Sequence, residues 1–358
     1  MKKILIIGAA GYVGKFVVEK FQEMHDYEIF ALTRNNGKFL LSGHNLSVIL
    51  KDELSNNNDF DIIVNLAYPT GVTPLKYSEI NKEIIQTIKN NIKSNGKIIH
   101  TSSLAVFGYP LDFPIEAKPV KKRADLPYVM TKIEMENMLL KNFKDYELHI
   151  VRLGNVWGPA SPFWTFTLAD KLTFKNPVLL TGKDGFSNIT DVHNVADYLA
   201  FISNQVYKEK ITFHHLAEFS DIKWSKILEI LSKKLNREII YLNEELPKQK
   251  SIFGELGEVI FSAVKLPSKK FVLSKRFLSG FLWDKLSLLP KSWIFFIKRI
   301  IPKSAAVQAD KGEIDLNFFA LMSCEKQFKS IANSVWRPKF NFEDSMKEVF
   351  NWLEEVGY

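Results

Sequence analysis

From its second residue the chain alternates short apolar runs with stretches in which apolar positions return every three to four residues, the spacing of one helix face. The runs predict strands over Lys3–Ile7, Glu28–Thr33, Leu46–Leu50, Asp61–Leu66, Lys97–Thr101, Glu147–Leu153 and Thr212–Leu216. Helical spacing covers about 12–24, 79–94, 128–143 and 194–205. Such alternation implies an α/β fold, a doubly wound parallel sheet of about seven strands with helices on both faces. Asn95-Gly96 reads as the stop of one helix, and Pro159 and Pro162 break the chain after Leu153. From about Pro159 to Phe186, and again from about Asp221, the alternation is lost. The expected organisation is a sheet domain of 1–158 plus about 187–217, and a smaller mixed α/β lobe of about 159–186 plus 218–358 that faces a substrate.

The first strand runs directly into Gly8-Ala-Ala-Gly11-Tyr-Val-Gly14, where a buried strand turns into a helix. Gly8 permits the tight turn, Gly11 lets backbone approach a pyrophosphate, and Gly14 lets the helix pack closely on the strand. The N–H groups of Ala10, Tyr12 and Val13 belong to the same anion-facing loop. This Rossmann-like arrangement predicts a dinucleotide cofactor.

Composition narrows the classes. A chain of 358 residues that is 46% hydrophobic buries a large core, which argues against disorder. The single cysteine, Cys324, excludes an internal disulfide framework and a multi-thiolate metal site, and no metal is expected. No apolar run approaches a membrane span, and the chain enters its first strand without a separate signal segment; a cytoplasmic location is expected. The net charge of +8 is local. Ten Lys or Arg fall between Val259 and Lys303 against one acid, Asp284, and the remainder holds 38 basic and 39 acidic residues. A diffuse nucleic-acid surface is not indicated.

Candidate chemistry lies in Tyr128-Val-Met-Thr-Lys132, which follows the helix start Asp125-Leu-Pro127. The i, i+4 spacing puts both side chains on one helix face, where an ammonium favours phenolate and lowers a phenol pKa that is ordinarily about 10. Spacing alone favours an ordinary tyrosine and a solvated lysine, because such pairs are common. The context is Lys97-Ile-Ile-His-Thr-Ser-Ser103-Leu-Ala-Val-Phe-Gly108, an apolar strand that ends in hydroxyls. Ligands of open α/β sheets bind beyond such carboxyl ends. Ser103 stands where it can donate to a substrate oxygen that Tyr128 protonates; Thr101 and Ser102 equally suit bonds to local backbone.

With these motifs the chain resembles the extended short-chain dehydrogenase/reductase family, which includes sugar-nucleotide epimerases, dehydratases and reductases. The glycine loop fits G-x-x-G-x-x-G, and Asp61-Ile-Ile-Val-Asn-Leu66-Ala67 is similar to the fourth-strand signature. Ser103 to Gly108 resembles S-x-x-V-Y-G with Phe107 in place of tyrosine, and Arg152-Leu-Gly-Asn155-Val-Trp-Gly-Pro159 resembles R-x-x-N-V-Y-G-P. Trp336-Arg-Pro338 with Glu343 and Trp352 resembles the closing helix. The resemblance implies Tyr128 as general acid/base, Lys132 on the nicotinamide ribose, Ser103 on the substrate oxygen and Asn155 beside the substrate. It also implies Thr33, Arg34, Asp52, Leu66 and Ala67 along the cofactor, with Asp52 at the adenine, and a homodimer of bundled helices at 79–94 and 128–143. Met135, Met138 and Leu139 suit that bundle and a core equally. Ser187-Asn-Ile-Thr-Asp-Val-His193-Asn-Val-Ala196 departs from the family's R-D-F-x-H-V-x-D-V-A, so substrate contacts do not carry over there.

Thr33-Arg34 ends the second strand without the acid that accepts the ribose hydroxyls of NAD, and a guanidinium pairs with a 2′-phosphate, so NADP is expected; Arg34 stacked on adenine would suit NAD. Leu104 and Ala105 supply no acid or base where the resembling dehydratases carry Asp-Glu. Leu104 and Ala160 likewise replace the cysteine and histidine of double epimerases. What remains is a 4-keto-sugar reductase of surface-polysaccharide or deoxysugar biosynthesis, or an NAD-dependent 4-epimerase of a nucleotide-linked or lipid-linked sugar, with a non-catalytic nucleotide-binding protein as a further alternative. The cations and aromatics of 259–303 suit either a peripheral membrane contact or a larger substrate lobe.

Overall fold

The computed structural model describes residues 1–33, 35–44, 46–54, 59–69, 76–107, 127–174, 178–180, 184–242, 307–309, 312–314, 327–328, 330, 332 and 335–358. Arg34, Gly108, Asp125, Cys324 and the segment 259–303 lie outside them.

Seven parallel strands form the central sheet. In chain order these begin with β1 (Lys2–Ile7), α1 (Tyr12–Glu23), β2 (Tyr27–Thr33), α2 (Asn35–Leu40), β3 (Ser47–Leu50) and β4 (Phe60–Asn65). They continue with α3 (Tyr77–Asn91), β5 (Ile92–Ser103), α4 (Pro127–Asn142) and β6 (Glu147–Leu153). After β6 come β7 (Asn155–Trp157), α5 (Thr165–Phe174), β8 (Val178–Leu180), β9 (Ile189–Asp191), α6 (Val192–Asn204) and β10 (Ile211–Leu216). The described elements end with α7 (Trp224–Lys234), β11 (Ile240–Leu242), β12 (Val307–Ala309), β13 (Gly312–Ile314) and α8 (Phe342–Glu355).

The sheet order is β10-β6-β5-β4-β1-β2-β3. The chain therefore starts at β1, moves outward to β3, and crosses back to β4 on the other side of β1. Strand order reverses between β1 and β4, where open sheets leave a crevice for ligands. All seven predicted strands and four predicted helices are present, because runs buried on both faces give strands a continuous apolar signal. The largest boundary shift lies between α3 and β5: α3 ends at Asn91, and Asn95-Gly96 lies inside β5 instead of stopping the helix. There the β4–β5 register jumps from Phe60↔Ile92 to Ile62↔Lys97, so Lys93–Gly96 form an irregular excursion that the glycine accommodates.

On one face α1 and α6 pack with Ile4, Ile6, Ile99 and Val151; on the other α3 and α4 pack with Leu5, Ile63, Ile98 and Ile150. Met135 and Leu139 are buried in this second core, and Met138 packs partly buried against it. Beyond the sheet, a further apolar core joins Trp157, α5, α7 and α8 through Leu168, Trp224, Leu228, Val349 and Leu353. Two-stranded sheets β7-β9 and β8-β11 accompany it. Among the described residues no helix is long and apolar enough to cross a membrane.

Candidate active site

The turn after β1 is built by backbone. Gly8 adopts φ +87°, left-handed space that glycine enters without steric cost, and its carbonyl accepts the Gly11 N–H at 3.0 Å. Gly14 is buried on α1 with backbone across it: a Cβ there would fall on the carbonyl oxygens of Gly8 and, at 2.5 Å, Ala9. Gly11 is the N-cap of α1 and no side chain caps it. The leading N–H groups of a helix lack intrahelical acceptors, and an N-terminus without a side-chain cap suits an anion. The loop after β4 completes the wall. Leu66 N–H bonds Ile7 O at 2.9 Å, Ala67 N–H bonds the Asn65 side chain at 3.1 Å, and Ala67 backbone lies against Gly8. Gly37 of α2 packs against Thr33 and Ala10. These features fit a dinucleotide pyrophosphate. Asp52 lies in the single turn Lys51–Glu53 after β3, while Arg34 falls outside the described residues.

Ser103 ends β5, and Tyr128 is the second residue of α4. The Ser103 hydroxyl accepts the Ala105 N–H at 3.2 Å and lies near enough to the Tyr128 phenol to favour its ionisation. One turn along α4, buried Lys132 donates from Nζ to Thr101 O at 3.0 Å. The structure thus brings the three expected proton-transfer residues together at the carboxyl end of β5. Burial pushes the Lys132 ammonium down to about 8, and Glu136, a further turn along, pulls in the other direction. The Tyr128 phenol is pushed above its ordinary value by desolvation, with the nearby Ser103 hydroxyl opposing. Since 39% of Tyr128 faces solvent, that push is weaker than for a fully enclosed phenol. Its direction is opposite to the lowering predicted from lysine spacing, because Lys132 points its ammonium at the Thr101 carbonyl and burial disfavours its own charge.

Several participants escaped the sequence reading. Tyr68, one residue beyond the fourth-strand motif, lies with its ring 5.0 Å from that of Tyr128 and 5.8 Å from Lys132 Nζ. His100 on β5 is fully buried; desolvation and then the Lys132 charge push it down to about 3, so it is neutral near pH 7. Its Nδ1 is 3.1 Å from the Asn65 side-chain amide. Glu136 pairs with buried Arg152 of β6 through Nε at 3.1 Å and a second guanidinium nitrogen at 2.7 Å. That bidentate pair ties α4 to the sheet. Glu136 was legible as the next helical turn after Lys132 and Arg152 as the start of a motif; that the two pair had no local signal.

Asn155 opens β7, where its amide donates to Ser187 O at 2.6 Å. In the departing segment, Asn188 Oδ1 accepts the Phe328 N–H at 2.8 Å, and Asp191 caps α6 through His193 N–H and also bonds Ser345. Asn194 holds the Lys339 and Phe340 N–H groups. These side chains join the sheet domain to the closing segment, a structural use for residues that depart from the family pattern. Leu104 and Ala105 are buried in the single helical turn Leu104–Phe107. Among the described residues no cluster of three metal-ligating side chains occurs.

A model of the NAD dependent epimerase/dehydratase family matches residues 4–198. Among solved structures, UDP-glucuronic acid 4-epimerase from Bacillus cereus, in complex with UDP-glucuronic acid and NAD, is 14% identical over 99% of each chain, with a TM-score of 0.58. dTDP-glucose 4,6-dehydratase from Bacillus anthracis, in complex with NAD, is 13% identical over 99% of this chain and 97% of that one, with a TM-score of 0.57. ADP-L-glycero-D-manno-heptose-6-epimerase from Helicobacter pylori is 21% identical over 67% of this chain and 84% of that one, with a TM-score of 0.53. At these identities the structural likeness establishes a shared fold. No curated protein matches the chain significantly.

Proposed function

The chain belongs to the NAD dependent epimerase/dehydratase family, and from that premise we propose that it is an NAD(P)-dependent oxidoreductase acting on a nucleotide-activated sugar. The observation that carries this reading is the meeting of Ser103, Tyr128 and Lys132 at the end of β5. Gly8, Gly11, Gly14, Leu66 and Ala67 would hold the cofactor, which when bound supplies or accepts a hydride. Ser103 donates a hydrogen bond to the sugar oxygen and orients it. Tyr128 gives its phenolic proton to that oxygen during reduction, or takes a proton from the hydroxyl in the reverse direction. The buried Lys132 ammonium stabilises the negative charge left on Tyr128. The core around Trp157 belongs to the substrate-binding half.

The leading reaction is reduction of a 4-keto-sugar with NADPH, supported by Arg34 in the sequence. Leu104 and Ala105 place no titratable group beside Ser103, which speaks against water elimination. The family match and the 4-epimerase among the similar folds favour a second reading, 4-epimerisation with retained NAD. Mass spectrometry of the protein as purified separates them: retained NAD marks the epimerase, an empty site that captures NADPH marks the reductase. Incubation with nucleoside-diphosphate 4-keto-sugars then measures NADPH consumption. Absence of both cofactor capture and turnover on nucleotide sugars overturns the reading. For 259–303 two roles stand, a larger substrate lobe or a peripheral membrane contact, and equal, negligible liposome binding by wild type and a folded 259–303 deletion would remove the second.

A further inference from the structure

We propose that Tyr68 is a positioning residue, whose ring clamps Tyr128 and Lys132 into the geometry for proton transfer. The inference rests on the reading of those two residues as the proton-transfer pair. Tyr68 follows β4 at the switch point of the sheet, and its ring meets that of Tyr128 edge to face, centroids 5.0 Å apart at 66°. It also meets the ring of Tyr77 on α3 at 5.7 Å and 63°, and the two phenols lie 3.5 Å apart. Tyr77 thereby gives the Tyr68 ring a second aromatic neighbour.

Lys132 shows why a ring is useful there. Its ammonium carries three donors, is buried, and makes the hydrogen bond to Thr101 O, with the Tyr68 ring 5.8 Å from Nζ. The groups that face it are His100 from β5, which is neutral, Glu136 from its own helix, and Tyr68. Glu136 is engaged by Arg152. An aromatic face therefore provides negative potential without a competing base, and does so at a residue that also fixes the Tyr128 ring. The Tyr68 phenol does not serve as a second acid, because burial and the neighbouring phenols push its ionisation far up.

The test compares Tyr68→Phe, which keeps the ring, with Tyr68→Leu and Tyr68→Met, which keep apolar bulk without it; circular dichroism confirms folding. The first readout needs no substrate: Lys132 is titrated by 15Nζ NMR, its signal assigned by loss in Lys132→Met. Tyr68→Phe is expected to titrate as wild type. The aliphatic variants should titrate lower, the protonation equilibrium weakened roughly three- to tenfold, as loss of a partly buried cation–π contact predicts. The second readout is kinetic: kcat falls by a similar factor in the aliphatic variants while KM is kept, and Phe restores it. Titration of Leu and Met variants indistinguishable from Phe overturns the proposal. Full turnover by Tyr128→Phe would instead overturn the proton-transfer reading, and the titration still decides whether Tyr68 holds Lys132.

Discussion

The two halves of the crevice are made of different material. At β1 and α1 the glycine turn is backbone: Gly8 in left-handed space, Gly14 without room for a Cβ, and a helix N-terminus with no side-chain cap. At β5 and α4 the site is side chains, drawn from the loop after β4, from β5, from α4 and, through Arg152, from β6. The first half obeys steric rules set by neighbours in sequence, joined only by the Leu66-Ala67 backbone from β4. The second depends on which charges burial brings together, and its tuning follows from desolvation more than from spacing. One half is therefore fragile to added atoms, the other to lost charges and protons.

The largest expected effect separates the halves outright. Tyr128→Phe should lower turnover by roughly 10³-fold while leaving cofactor affinity within about twofold, because the lost hydroxyl acts on the reacting oxygen and not on the pyrophosphate. Calorimetric titration with NADPH alongside steady-state rates checks both parts, and equal losses in the two would erase the distinction. Arg152→Met comes next. It leaves the Glu136 carboxylate buried without its bidentate partner, which should cost about 3 kcal/mol in denaturant unfolding, and a double Arg152→Met, Glu136→Met variant should recover most of it. A single variant as stable as the double one would show that the pair does not hold α4.

Gly14→Ala probes the backbone half. Its Cβ meets two carbonyl oxygens, so α1 must move away from the turn, with a loss of about 2 kcal/mol and weaker cofactor binding. Unchanged NADPH affinity would show that the turn tolerates movement. The smallest effect concerns protons. His100 is held down to about 3 against an unfolded value near 6.5, so the unfolded chain binds the extra proton between those values. Its contribution is complete above pH 6.5 and is lost as pH falls toward 3. Urea unfolding at pH 6.5 and 5.5 should show wild type losing about 1 kcal/mol more than His100→Gln. Parallel curves would mean that the folded histidine takes up its proton freely.

Legibility follows the same division. Strands such as Glu147–Leu153 were readable to the residue, because an apolar run bounded by polar loops states its own ends. Asn95-Gly96 misled because a glycine that relieves a register excursion looks like one that stops a helix. Ser103, Tyr128 and Lys132 were readable as candidates through their motifs. The raised phenol, the lowered ammonium and the neutral His100 were not, since each follows from enclosure by elements far apart in the chain. The segment 187–196 departs from the family pattern, and the fold uses its Asn188, Asp191 and Asn194 as joints to Phe328, Ser345 and Phe340.

By itself the sequence determined the parallel sheet, the glycine turn and the family, because periodicity, backbone freedom and ordered motifs are properties of residues near one another. Only tertiary structure decided how Lys132 is held. Its charge depends on the Thr101 carbonyl, the Tyr68 ring, Glu136 with Arg152 and the exclusion of water, and these meet only when β4, β5, β6 and α4 pack. Electrostatic energies in a buried site are set by distance through space and by desolvation, and neither is written along the chain.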